Sequence, residues 1–185
     1  GRSHIRNWSE DFYHSRTGYS LWNIFIMDSR AIISACKIMD VGGDSVQKGS
    51  QSFKFDIPVY IEQTASVVGE KESEGPLGRM FDVVIKDPMS GKDNWEQAES
   101  ALQEAVVDKL LMKTSYKKEQ IRYILSGDLL GQLIATSFGI SKYEIPHFGI
   151  YGACSTFGEA LSLGALIISA GAADRLICMA SSHFA

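Results

Sequence analysis

Cysteine is scarce in this chain of 185 residues: there are three, Cys36, Cys154 and Cys178, and no two lie close in sequence. Zinc sites need cysteines or histidines in short-range pairs, and disulfide scaffolds need many cysteines in an even count, so neither is indicated. The four histidines, His4, His14, His147 and His183, are scattered and form no metal-ligand spacing. No metal site is therefore expected, and the thiol usage fits a reducing, cytoplasmic compartment. Positive charge is also short, with 18 Lys and Arg against 22 Asp and Glu, a net charge of −4. That balance speaks against a nucleic-acid-binding surface but leaves room for a local pocket for a small acid. No apolar run reaches the ~18 residues that span a bilayer. The longest uncharged stretch, 160–173, is broken by Ser162, Gly164, Ser169 and Gly171 and reads as a buried helix.

What remains is a globular composition, 45% hydrophobic, in a length suited to one domain. Residues 1–52 stand apart. They are aromatic, locally basic and without sustained periodicity, and they end in a Gly/Ser/Gln-rich stretch at 42–52. The apolar patch 21–27 lacks the cleavage site of a signal peptide. The segment reads as an irregular extension, an upstream reading artefact being one account of it. The folded unit is expected over 53–185.

Within that unit, Ile57-Pro58-Val59-Tyr60-Ile61 predicts a strand, with proline tolerated near its start. Glu74-Gly75-Pro76-Leu77-Gly78 predicts a loop. A helix is expected from Asp93, read as the N-cap with Glu96 closing a capping box. Its apolar face carries Trp95, Ala98, Leu102, Ala105, Val106 and Leu110. Strands are then expected at 121–125, 147–151 and 175–180, with helices at 129–138 and 155–171. This alternation predicts an α/β fold with a largely parallel sheet flanked by helices.

In such folds ligands bind at the carboxyl ends of the strands. Three strands here run into Asp128, Cys154 and His183, which converge if the strands are neighbours. Cys154 is the most specific of the three. Gly152 and Ala153 permit a sharp turn, and Ser155 and Thr156 can cap the helix that follows. A group at a helix N-terminus faces unpaired N–H donors and the positive end of the helix dipole, which suits either a nucleophilic thiol or a bound carboxylate. Asp128 reads equally as a helix cap, and His183 as a base, an anion donor or a surface residue. Cys178 and His147 read as structural, the pair Lys117-Lys118 as a solvated turn, and Arg175 as the entry to its strand, far from that edge.

Gly152-Ala153-Cys154-Ser155-Thr156 resembles the nucleophile loop of the thiolase and ketoacyl-synthase superfamily. Six motifs in order resemble, more closely, the stage V sporulation protein AD family of spore-forming bacteria. They are Pro58-Val59-Tyr60-Ile61; Glu74-Gly75-Pro76-Leu77-Gly78 with Phe81-Asp82; Asn94-Trp95-Glu96 with Ala98-Glu99; Gly127-Asp128-Leu129-Leu130 with Gln132; Phe148-Gly149 with the Cys154 loop; and Ala180-Ser181-Ser182-His183. The resemblance covers about 53–185. It implies a thiolase-like fold, of which this chain is the amino-terminal half of two similar halves.

It further implies a soluble component of a membrane channel complex that takes up dipicolinic acid during sporulation. Such a component lies peripheral to the forespore and spore inner membrane and binds dipicolinate or its calcium chelate. On this reading Gly152, Cys154, Ser155, Asp128, Ser182 and His183 face the ligand, no cofactor is needed, and the partners are a small dicarboxylic acid and membrane proteins of the complex. The family's second half, which supplies the catalytic histidine and second cysteine of thiolases, has no counterpart before Ala185. Acyl transfer by Cys154 stays open as the alternative, as does a purely assembling subunit. A half exposing the face it shares in the family fold is also expected to self-associate.

Overall fold

The structure is a computed structural model that describes residues 21–28 and 47–182. The strands are β1 (Leu21–Asp28), β2 (Gln47–Lys48), β3 (Ser52–Phe53), β4 (Tyr60–Gly69), β5 (Val83–Ile85), β6 (Tyr123–Asp128), β7 (His147–Gly149) and β8 (Arg175–Ser181). The helices are α1 (Glu70–Ser73), α2 (Trp95–Thr114), α3 (Ile134–Ser141) and α4 (Thr156–Ser169). β2 and β3 form a small separate hairpin, and the other six strands make one sheet in the order β5-β4-β1-β8-β6-β7. β4 pairs parallel with β5, and β6 pairs parallel with both β7 and β8. β1 lies between β4 and β8 and is antiparallel to both, so five strands share one direction and β1 opposes them.

Period-2 alternation in the strands explains how this sheet acquires two covered faces. Ile124, Ile177 and Met179 point to one side and pack with Leu102, Val106 and Leu110 of α2 and Ile140 of α3. Their neighbours Leu125, Leu176 and Cys178 point to the other side, against Ala160, Ala165 and Ile168 of α4. Near-continuous apolar runs such as 176–179 are what a strand buried on both faces requires. Each large side chain so buried contributes about 1.5–3 kcal/mol of transfer free energy. Cys178 is part of this core. Its Sγ lies 3.1 Å from the Ala160 carbonyl, and burial pushes the thiol up to about 12.

The α/β class and the helix-flanked, mostly parallel sheet are as the sequence predicts, and several details differ. Leu21–Asp28, inside the segment read as irregular, forms a strand within the sheet. β4 begins at Tyr60, after Pro58, and runs eight residues past Ile61. Its polar Ser66 is held from outside the strand, because the Asp82 carboxylate accepts from the Ser66 amide at 3.0 Å. The short edge strand β5 carries no signal beyond Val83-Val84-Ile85. The N-cap of α2 is Asn94, one residue after Asp93, and its Oδ1 accepts from the Gln97 amide at 2.9 Å.

Candidate functional site

The strand order makes the three strands neighbours. β6 lies between β7 and β8, so the carboxyl ends of all three meet on one edge. The chain leaves β6 for α3 on one face of the sheet and leaves β7 for α4 on the other. A crevice opens where successive connections diverge in this way, and this is where open α/β sheets hold ligands. Here it is a cavity of about 240 Å³ lined by Leu129, Ala153, Cys154, Phe157, Ala180, Ser181 and Ser182.

The Cys154 turn is built by close packing. A side chain on Gly152 would meet Glu159 Oε1 at 1.9 Å and Ser155 Oγ at 2.3 Å. Ala153 takes a left-handed φ of 51°, which costs a non-glycine residue energy. A single 3₁₀ turn, Ala153–Ser155, then leads into α4. Left-handed Gln132 (49°) and Leu133 (82°) lie in the loop after β6, so this edge holds three left-handed non-glycine residues, with Ser90, Ser115 and Glu144 elsewhere. Cys154 itself is exposed.

The expected capping by Ser155 is not what the structure shows. Ser155 makes no side-chain cap bond; its hydroxyl donates to the Gly152 carbonyl at 2.8 Å and contacts the Glu159 carboxylate. The Thr156 hydroxyl accepts from the Gly152 amide at 3.1 Å, so it closes the turn and does not cap α4. With both hydroxyls engaged backwards, the first N–H groups of α4 are left to other partners.

Of the residues expected to face a ligand, Cys154 and Ser182 line the cavity. Gly152 and Ser155 shape the turn behind them. Asp128 is buried beneath: Oδ1 accepts from Gly131 N at 2.8 Å, and Oδ2 accepts from Thr136 N at 2.9 Å and Thr136 Oγ1 at 2.7 Å. It therefore anchors the loop 129–133 and the start of α3, which explains why that helix begins at Ile134 and not at Leu129. His183 lies outside the described residues. His147 is held by Ser126 at 3.0 Å, and burial lowers its pKa. Lys118 pairs with Glu144 at 2.7 Å. Arg175, over the Tyr116 ring at 4.2 Å, sits at the opposite edge of the sheet.

Sequence reasoning missed the polar layer behind the cavity. Ser181 is within 2.7 Å of both Glu99 Oε1, to which it donates, and Gln103 Nε2, which donates to it. Gln103 Nε2 also donates to Thr136 Oγ1 at 3.0 Å. Glu99 and Gln103 are wholly buried. The readable signal was two polar residues, one turn apart, inside the apolar stripe of α2. Burial raises the Glu99 carboxyl; the Ser181 hydrogen bond partly offsets this and the charges of Asp128 and Glu96 add to it, leaving the value at about 7.

Among the described residues no group of His, Cys, Asp and Glu is arranged to hold a metal ion, and no helix is long and apolar enough to cross a membrane. Compared with known proteins, residues 49–185 match the family model of stage V sporulation protein AD. The curated stage V sporulation protein AD of Bacillus subtilis (strain 168) is 33% identical over 135 residues, which make up 73% of this chain and 40% of that protein. This chain thus spans well under half the length of the relative it matches. The match takes in the Cys154 turn, the loop after β6 and the end of β8, and on it the chain belongs to the stage V sporulation protein AD family.

Proposed function

We propose that the cavity beside Cys154 takes dipicolinic acid or its calcium chelate, and that the chain is the ligand-binding part of a soluble component of the spore membrane channel complex. The family places the chain in sporulation. The finer reading is supported by one observation above the others: a cavity of about 240 Å³ is walled by the small residues Ala153, Cys154, Ala180, Ser181 and Ser182 and opens at the start of α4. Drug-sized ligands occupy cavities of roughly 300 Å³ and more, so a single-ring acid is the better fit. A carboxylate there meets backbone N–H groups and the positive helix end. The partners on this reading are membrane proteins of the complex, with the chain peripheral to the forespore and spore inner membrane. We also read the fold as thiolase-like, on the resemblance of Gly152-Ala153-Cys154-Ser155-Thr156 to the nucleophile loop of that superfamily.

Acyl transfer by Cys154 is the second reading. A nucleophile needs a base and oxyanion donors held beside it. Among the described residues, the side chains that share the cavity with Cys154 are Leu129, Ala153, Phe157, Ala180, Ser181 and Ser182, none of which is a general base, and the candidate base His183 lies outside them. Calorimetric titration with dipicolinate is expected to give heat in the millimolar range or below. Cys154→Ser is expected to retain binding, and a bulky Cys154→Trp to abolish it. Absence of heat at millimolar dipicolinate would sink the binding reading. A thioester adduct on Cys154 after incubation with an acyl-CoA, seen by intact mass, would favour the enzyme instead.

A further inference from the structure

We infer that Glu99 is a positioning residue for the Cys154 cavity: held against the cavity wall through Ser181, it sets by its protonation whether the cavity accepts an anion. This rests on the reading of that cavity as an anion site.

The geometry begins with Ser181, the residue where the wall and α2 meet. Its carbonyl accepts from the amide of Leu129, another wall residue, at 3.1 Å, and its hydroxyl donates to Glu99 Oε1 at 2.7 Å. One hydroxyl therefore separates the buried carboxyl from the cavity lining. Glu99 Oε2 and Gln103 Oε1 are both buried and find no hydrogen-bond partner among the described residues. Two orphaned acceptors side by side on one helix are costly when the acid is ionised; a proton on Glu99 relieves the charge and supplies a donor.

Among the described residues no cation offsets the charge. From β6 the facing group is Asp128, and from α2 itself Glu96, and both are negative. α3 carries no titratable residue between Ile134 and Ser141. The charged residues of the remaining packed strands lie at the far edge: Glu62 of β4 pairs with Arg175 of β8 at 3.6 Å, and Asp28 of β1 is in register with Arg175. His183 lies outside the described residues. The pKa of about 7 for Glu99 agrees with this placement. Below neutral pH the wall is backed by a neutral acid. Above it, a buried negative charge backs the wall and opposes a carboxylate ligand, in surroundings where charges are poorly screened.

The test measures dipicolinate affinity between pH 6 and pH 8.5 for the wild type and for Glu99→Gln, a neutral acid's closest mimic. Wild-type affinity is expected to fall on the order of tenfold across that range, the size of one charge–charge interaction acting across the cavity wall. Glu99→Gln is expected to bind across the range at the wild type's low-pH strength. Parallel pH profiles in the two proteins would overturn the inference while leaving the ligand reading intact. A second readout does not need dipicolinate: the ratio of iodoacetate to iodoacetamide alkylation at Cys154, followed by peptide mass, cancels changes in thiol ionisation. The ratio is expected to drop several-fold from pH 6 to pH 8.5 in the wild type and to stay flat in Glu99→Gln. If that pattern is found where dipicolinate does not bind at any pH, the ligand reading fails and the role of Glu99 stands. The same ratio profile in both proteins overturns it.

Discussion

Gly127→Ala is expected to cost the chain about 3 kcal/mol or more of stability, at the upper end of what overpacking does. Gly127 is the fifth residue of β6 and pairs with Ala180 of β8. A Cβ there would sit 1.8 Å from the Ile150 carbonyl oxygen and 3.1 Å from Thr156 Cγ2. The first clash is with backbone, so no rotamer change relieves it. Ile150 is itself fixed, because its amide donates to the Ser126 carbonyl at 2.9 Å. Relief requires moving the 150–156 segment off β6, and that segment carries Cys154. The substitution therefore damages the fold and the cavity together. Gly158→Ala is the matched control. Gly158 is exposed in the first turns of α4 with nothing within 4 Å of its added carbon, so alanine there is expected to stabilise by about 0.5–1 kcal/mol. Urea midpoints for the two variants should move in opposite directions; equal shifts would show that the close approach at Gly127 is not real.

The second large effect is expected at Asp128. Asp128→Ala removes the acceptor for three donors, two of them on Thr136. Hydrogen bonds to a carboxylate contribute about 1.5–3 kcal/mol each, and a buried donor left unpaired costs a further 1–3 kcal/mol. Loss of the repulsion between Asp128 and Glu99 offsets a part of this. A net loss of about 3 kcal/mol is expected, with loosening confined to 129–136. Asp128→Asn should be little better, since its amide turns one acceptor into a donor that faces another N–H. Hydrogen exchange at the Gly131 and Thr136 amides checks this: both should lose protection in either variant. If Asp128→Asn were as stable as the wild type and lost only ligand binding, Asp128 would be a ligand group and not an anchor.

What was legible in the sequence follows from how local each cause is. The Cys154 turn could be read because its cause is local: Gly152 and Ala153 leave room for a sharp bend, and the next strand-like and helix-like segments flank it. β6 and β8 could be read because burial on both faces demands an apolar run, as in 176–179. The register of β1 had no such signal. Its place depends on pairing with β4 and β8, whose nearest partners to it in sequence are Tyr60 and Arg175, both opposite Asp28, and long-range pairing leaves little mark on a short segment. The helix expected from 129 begins at Ile134, since 129–133 has helix-like composition but is organised by Asp128. Ser155 and Thr156 have cap-forming side chains, yet each found a closer partner in Gly152 and Glu159. Glu99 and Gln103 carry no distinct signal within the α2 stripe, because their shared partner, Ser181, lies 82 residues from Glu99.

We propose above that a small acid binds in the cavity at the Cys154 turn. The most direct measurement is the rate at which iodoacetamide alkylates Cys154, with and without saturating dipicolinate, read at the Cys154 peptide. Occupancy of the cavity covers the thiol, so the account predicts that the rate falls at least tenfold when the site is nearly full, and that half-protection occurs at the calorimetric Kd. An unchanged rate at dipicolinate concentrations that do give binding heat would place the ligand elsewhere and contradict the account.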